Sequence, residues 1–185
     1  MEKQLNIPNM LSVLRLLTAP AIFFLIIHST PGNYPYLIAV FCFSMLLDLL
    51  DGYLARKLRQ ETELGKILDP LADKIMVFLI VPALIIKSDF PLWLGIIILS
   101  RDFLILLASW ILIKVKKIKR VTPSILIGKV AFSVIGALIL IYIIDLHKSL
   151  ELDLIKRYFI VLCVGFLGWS VVEYFEVYKK QKNGD

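Results

Sequence analysis

Four aspartates lie in or beside hydrophobic segments between residues 48 and 74, in steps of three and four residues. Asp48 and Asp51 are three apart, and Asp69 and Asp73 are four apart, so each pair shares one face of a helix. A carboxylate near hydrocarbon is costly, and an intramembrane acidic residue therefore indicates a functional site. The first question is which chemistry offsets that cost.

A divalent cation would relieve the repulsion among these carboxylates, which otherwise could be relieved only by protonation. Hard oxygen ligands suit Mg²⁺, Mn²⁺ or Ca²⁺, whereas zinc prefers histidine or cysteine. Four carboxylates suffice for two ions that share a ligand, and two ions ~4 Å apart are the usual clamp for in-line attack at phosphorus. The alternative is that the aspartates are interfacial charges paired with nearby lysines and arginines. That alternative explains one aspartate more readily than all four.

Small and basic residues accompany the aspartates. Gly52 and Ala55 leave room for a bulky ligand to approach the second predicted helix, and Gly65 leaves room at the start of the third. Arg56 can donate two parallel hydrogen bonds to a phosphate group. The stretch therefore predicts a site for a phosphate-containing ligand beside the metal ions.

The elements that must position this site are strongly apolar, since 59% of the 185 residues are hydrophobic and they form long blocks. Such blocks predict an all-α polytopic membrane protein with six transmembrane helices, in a single domain over residues 1–185. The residues before Pro8 are expected to lie along the membrane surface as a short interfacial segment. The predicted spans are residues 9–28, 36–56, 67–87, 91–113, 124–145 and 155–177.

Lysines and arginines alternate between the predicted loops. The loops at 57–66 and 114–123 are rich in them, and the turn at 28–35 has none. The positive-inside rule then predicts that both termini and the aspartates lie on the cytoplasmic side of the cell membrane. The first apolar segment contains Arg15 and lacks a convincing cleavage site, so we expect it to be retained. The net charge is +6, and the basic residues flank hydrophobic segments. Nucleic acid is therefore not an expected partner.

Read as one motif, the stretch resembles the signature of the CDP-alcohol phosphotransferase family. The pattern is D-x-x-D-G-x-x-A-R, eight residues, and then G-x-x-x-D-x-x-x-D. Every fixed position is filled, by Asp48, Asp51, Gly52, Ala55, Arg56, Gly65, Asp69 and Asp73. Members of this family transfer a phosphatidyl or phospho-alcohol group from a CDP-linked donor to an acceptor hydroxyl and release CMP.

The resemblance implies a role for each motif residue. Asp48, Asp51 and Asp69 would bind two Mg²⁺ or Mn²⁺ ions, with Asp69 as the bridge, and Asp73 would complete the metal site and act as general base. It also implies a homodimer. Ordinary helix N-capping is the alternative role of Asn9 and Ser12. The donor site would comprise Asn9, Ser12, Gly52, Ala55, Arg56, Thr62 and Gly65.

Two further segments bear on the acceptor. IPNMLSVLR at 7–15 and ILDPLADKIM at 67–76 resemble the phosphatidylglycerophosphate synthases of the family, which implies CDP-diacylglycerol as donor and sn-glycerol 3-phosphate as acceptor. The acceptor phosphate would then contact Arg101, Arg120 and Lys129. The alternatives are a salt bridge to Asp102 or an interfacial anchor for Arg101, and snorkelling to the interface for Lys129.

The sequence after Lys129 departs from this pattern. Many glycerophosphate-using relatives have G-K-x-K-T, whereas this chain has GKVAF. RVTPSILIGK also resembles the corresponding segment of cardiolipin synthases in the family, which accept phosphatidylglycerol. Both acceptors therefore stay open.

Two other classes of protein compete with an enzyme. A cation transporter can use intramembrane carboxylates, but transporters often contain inverted repeats and broken helices near the membrane centre. No repeat is visible in this sequence, and its aspartates gather at one interface. A membrane scaffold with a structural acidic patch is the second alternative, and it leaves the glycines and the arginine of the motif unexplained.

Overall fold

The computed structural model describes residues 7–57, 65–116, 126–147 and 151–183. These residues form six α-helices and contain no strand, which confirms the all-α prediction. Each helix begins within two residues of its predicted start, and the last continues six residues beyond its predicted end at 177. The predicted interfacial segment lies outside the described residues. The helices are α1 Ile7–Ile27, α2 Tyr34–Lys57, α3 Gly65–Lys87, α4 Leu92–Lys116, α5 Leu126–Ile144 and α6 Asp153–Asn183.

Three of the helices are long and apolar enough to cross a membrane. Their spanning segments are Asn9–Ile27, Tyr34–Asp51 and Asp153–Glu173. Large apolar side chains such as Phe24 and Val161 are exposed on them, as expected of a surface that faces lipid. The chain is therefore an all-α membrane protein. The described parts of α3 to α5 do not meet the same test of length and composition, so six crossings remain a prediction.

The helices form two compact units, Met1–Asp89 and Phe90–Asp185, and a single domain remains a prediction. In the first unit α1 packs against both α2 and α3. The second half of α1 is apolar where it is buried, at Ala19, Ile22 and Ile26. Side-chain packing of this kind, together with interhelical hydrogen bonds, holds helices together in lipid. The first half of α1 buries polar residues instead, and the candidate site lies there.

In the second unit α6 packs against α5 and also contacts α4. A buried ion pair between Lys156 and Asp145 joins the beginning of α6 to the end of α5. The Lys156 ammonium also lies 4.9 Å from the centre of the Tyr142 ring, which adds a cation–π attraction. These contacts fix the end of α5 against the beginning of α6, because a buried charge requires a partner.

We predict that Asp145→Asn lowers the stability of the second unit. Removing one partner of a buried ion pair leaves the other charge uncompensated and typically costs about 3–5 kcal/mol. Asp153→Asn is the matched control, because Asp153 is 79% exposed and lies 3.8 Å from the same lysine. An exposed pair contributes at most about 1 kcal/mol. Thermal unfolding in detergent micelles measures both, and equal losses would contradict the prediction.

Candidate active site

Charged residues of α1, α2 and α3 lie at the same depth in the first unit. Arg15 is eight residues from the start of α1 at Ile7, and Asp73 is eight residues from the start of α3 at Gly65. Asp48 is nine residues from the end of α2 at Lys57. With a rise of about 1.5 Å per residue, each lies roughly 12–14 Å along its helix from that end. The helices therefore bring these charges together.

The Arg15 guanidinium is the centre of the cluster. It forms an ion pair with Asp48 of α2. Its Nη1 also lies 3.1 Å from Oδ1 of Asp73 on α3, and its Nη2 lies 4.0 Å from Oδ2 of Asp51. One cation thus contacts carboxylates from two other helices. The structure brings three of the four predicted aspartates around it.

The cluster is closed on one side and open on the other. Arg15 is 1% exposed and Asp51 is 5% exposed. Asp48 is 39% exposed and Asp73 is 28% exposed. A ligand can therefore reach Asp48 and Asp73 directly, whereas Asp51 and Arg15 form the buried floor of the site.

A stripe of four polar residues on α1 supports that floor. Asn9, Ser12, Arg15 and Thr18 recur every three residues and are all buried. The Ser12 hydroxyl donates a hydrogen bond of 3.3 Å to Oδ2 of Asp51. Residues three apart are neighbours on the helix surface, so the stripe winds around α1 from one turn to the next. The polar half of α1 is therefore the element that holds the carboxylates of its neighbours.

The last residue of this stripe, Thr18, links α1 to the middle of α2. Its hydroxyl donates a hydrogen bond of 2.6 Å to the backbone carbonyl of Arg15. The same oxygen lies 2.7 Å from the Ser44 hydroxyl, one of the few polar groups buried along α2. These bonds satisfy buried hydroxyl groups, and they fix the α1–α2 contact directly beneath the aspartates.

The sequence analysis gave Arg15 no part in the site, although it assigned Asn9 and Ser12 to the donor. A signal was present in the sequence, because an arginine inside an apolar span is costly and calls for a partner. Its spacing of three from Ser12 also placed it on the same helix face. What the sequence did not show is that this face meets the aspartates.

The described carboxylates fit metal binding by their chemistry. They are hard oxygen donors, and they gather around a single cation. Among the side chains that the structure describes, however, no three acidic, histidine or cysteine groups are placed to hold one ion together. The side chain of Asp69, the predicted bridge, lies outside that set. Asp48 and Asp73 are the open members that a metal ion could contact first.

The other predicted residues of the first unit are only partly described. Asn9, Ser12 and Gly65 are buried. The turns of α2 that follow Asp51 contain Gly52, Ala55 and Arg56. The surroundings of these three residues lie outside the described part. Thr62 lies wholly outside it. The predicted contacts of these residues with the donor stay predictions.

Of the three predicted acceptor residues, only Arg101 has a described side chain. Its guanidinium donates hydrogen bonds of 2.7 Å to Asp102 and 3.1 Å to the Ser170 hydroxyl of α6. The salt bridge weighed in the sequence analysis is therefore present, and the arginine also ties α4 to α6. Arg120 and the side chain of Lys129 lie outside the described residues.

The fold and the site define a class of protein. It is an all-α membrane protein in which neighbouring helices bring carboxylates around one buried arginine, and such a site is suited to binding a charged ligand. The sequence profile for CDP-alcohol phosphatidyltransferase matches residues 5–169, which includes every aspartate of the site. The chain belongs to the CDP-alcohol phosphatidyltransferase family. This membership confirms the resemblance drawn from the motif. Members of the family generally use divalent metal ions.

Several curated proteins are similar to part of the chain. A CDP-diacylglycerol--glycerol-3-phosphate 3-phosphatidyltransferase of Pseudomonas fluorescens is 41% identical over 106 residues, which cover 55% of this chain and 53% of the relative. A protein of the same name from Aquifex aeolicus is 38% identical over 114 residues, 60% of this chain and 62% of the relative. The match therefore spans only half to three fifths of these relatives.

A second kind of relative is also similar. A human cardiolipin synthase (CMP-forming) is 39% identical over 108 residues, which cover 58% of this chain and 35% of the relative. Both kinds of acceptor considered in the sequence analysis are thus represented among similar proteins.

Proposed function

We propose that the protein is an enzyme of phospholipid biosynthesis that transfers the phosphatidyl group of CDP-diacylglycerol to sn-glycerol 3-phosphate. The products are phosphatidylglycerophosphate and CMP. The observation that carries the proposal is the gathering of Asp48, Asp51 and Asp73 around Arg15, in a chain of the CDP-alcohol phosphatidyltransferase family. The names of the bacterial relatives support this donor and this acceptor.

The distribution of charge supports a particular placement in the membrane. With both termini on the cytoplasmic side of the cell membrane, the site lies near the cytoplasmic interface. The acyl chains of the donor would then stay in the bilayer while its diphosphate lies beside the aspartates. The family resemblance further supports a homodimer.

The aspartates would have two roles in the chemistry. Asp48, Asp51 and Asp69 would hold two Mg²⁺ or Mn²⁺ ions, and such ions neutralise a diphosphate and stabilise a departing CMP. Asp73, which is open to a ligand, would accept the proton of the acceptor hydroxyl. The acceptor oxygen forms a bond to the β-phosphorus, which bears diacylglycerol, and the bond from that phosphorus to the CMP oxygen breaks.

Phosphatidylglycerol is the alternative acceptor, in which case the product would be cardiolipin. Two observations favour it: the GKVAF sequence after the predicted acceptor segment, and the similarity to a cardiolipin synthase. The same donor, metal site and general base would serve either acceptor, because both present a primary hydroxyl for attack.

The first prediction of this proposal concerns the acceptor. Purified protein in detergent micelles with CDP-diacylglycerol and Mg²⁺ should release CMP when glycerol 3-phosphate is added. CMP formed only with phosphatidylglycerol would replace the proposed acceptor with the alternative. Failure to release CMP with either acceptor, together with failure to bind CDP-diacylglycerol in the presence of Mg²⁺, would contradict the enzyme and favour a cation transporter.

The second prediction concerns Asp73 as the general base. Asp73→Asn should lower kcat by at least about 100-fold, because a positioned base contributes about that much or more. Binding of CDP-diacylglycerol should be partly retained, since the other aspartates remain. Asp89→Asn is the control for the same chemical change at an exposed position outside the site. CMP release and donor binding measure the two effects, and near-normal turnover by Asp73→Asn would exclude this role.

The third prediction concerns Arg101 as a residue that binds the acceptor. If this arginine binds the acceptor phosphate, Arg101→Gln should raise KM for glycerol 3-phosphate roughly 10-fold or more, the loss expected for a charge-assisted hydrogen bond, and leave KM for CDP-diacylglycerol nearly unchanged. Ser170→Ala removes one partner of Arg101 but keeps its charge, and Arg157→Gln removes an exposed arginine of α6. If Arg101→Gln lowers Tm without a selective change in KM for glycerol 3-phosphate, Arg101 only links α4 to α6 and does not bind the acceptor.

A further inference from the structure

Arg15 is the buried cation of the site, and the mechanism above does not use it. It is almost fully enclosed, yet it contacts three aspartates that the proposed chemistry assigns to metal binding and proton transfer. Those aspartates must remain close together even before metal ions bind. Without a positive charge among them they would repel one another strongly in this poorly solvated position.

We propose that Arg15 is the internal counter-ion of the metal site. It holds Asp48, Asp51 and Asp73 in place when metal ions are absent, and its charge opposes the ions when they bind, so it sets their affinity. This inference rests on the proposed function, since it takes the aspartates to be metal ligands. It makes Arg15 a positioning residue, because it acts on the carboxylates and not on the substrate.

The charges of the cluster support this role. Three carboxylates and one guanidinium leave a net charge of −2 among the described residues (−3 + 1), which one divalent ion would neutralise. Replacing Arg15 by a neutral residue leaves −3. That change increases repulsion in the metal-free site and, at the same time, increases its attraction for a divalent cation.

The geometry explains why the cation is an arginine. Its guanidinium has five N–H groups in a rigid fork, and it can contact several carboxylate oxygens at once. Here it reaches aspartates on α2 and α3 from a single position on α1. A lysine carries the same charge at one point, so it would keep the neutralisation but lose part of the positioning.

Its burial explains why the effect on affinity persists when metal ions arrive. At 1% exposure, the guanidinium is enclosed by the packing of α1 against its two neighbours. It cannot turn outward into water, as an exposed arginine could. Its repulsion toward ions held by these aspartates would therefore persist, because burial weakens the screening of its charge.

The first half of the test uses metal-free protein in chelator. Arg15→Gln should lower Tm by several degrees, and Arg15→Lys should lower it less. Adding Asp48→Asn to Arg15→Gln should restore part of the loss, because it removes one repelling charge. Asp48→Asn alone should give no such gain, and that non-additivity measures the coupling. Arg157→Gln, at an exposed site, is the control.

The second half measures Mn²⁺ binding by electron paramagnetic resonance. Arg15→Gln should bind Mn²⁺ about tenfold more tightly than the wild-type protein, as expected when one neighbouring positive charge is removed. Excess Mn²⁺ should also recover its Tm, which a merely structural arginine would not allow. If Arg15→Gln fails to fold in chelator, the double variant still provides the comparison of Mn²⁺ affinity.

The outcomes separate the two proposals. Unchanged or weaker Mn²⁺ binding in Arg15→Gln, or no recovery of Tm on adding Asp48→Asn, would overturn the counter-ion role of Arg15. Absence of Mn²⁺ binding in the wild-type protein would instead contradict the metal site of the proposed function, and the chelator experiment would still decide whether Arg15 neutralises the aspartates.

Discussion

The contacts between one buried guanidinium and three carboxylates constrain the arrangement of the first three helices. Because Arg15 contacts Asp48 and Asp73 together, the starts of α1 and α3 and the end of α2 lie at the same end of the first unit. The apolar packing further along α1 allows several relative positions of the helices, since alkyl side chains are not directional. The ion pairs select one of them.

The helices and the proximity of Asp48, Asp51 and Asp73 could be predicted because their signals are local. Helix positions follow from apolar runs of about twenty residues, and each aspartate pair follows from a spacing of three or four. The predicted span ends at residue 177 and helix α6 continues to Asn183, because hydropathy reports the apolar segment and not where backbone hydrogen bonding stops.

The polar contacts between helices could not be predicted in the same way. Ser12 and Asp51 are 39 residues apart, and Arg101 and Ser170 are 69 residues apart. No periodicity within one segment identifies such partners, because they depend on which helix faces meet. Arg15 shows the limit most clearly: its cost in an apolar span indicated that a partner exists, and only the packing of α1 identified the partners.

The polar stripe on α1 also has a consequence for how the protein enters the membrane. This helix is synthesised before α2 and α3, and its arginine adds to the cost of inserting the isolated segment, by roughly 2.5–3.5 kcal/mol on insertion scales for a helix centre. Its partners on α2 and α3 are synthesised later, and the chain must extend beyond Asp73 before the stripe is neutralised. The buried polar groups of α1 therefore gain their charged partners only when α2 and α3 pack against it.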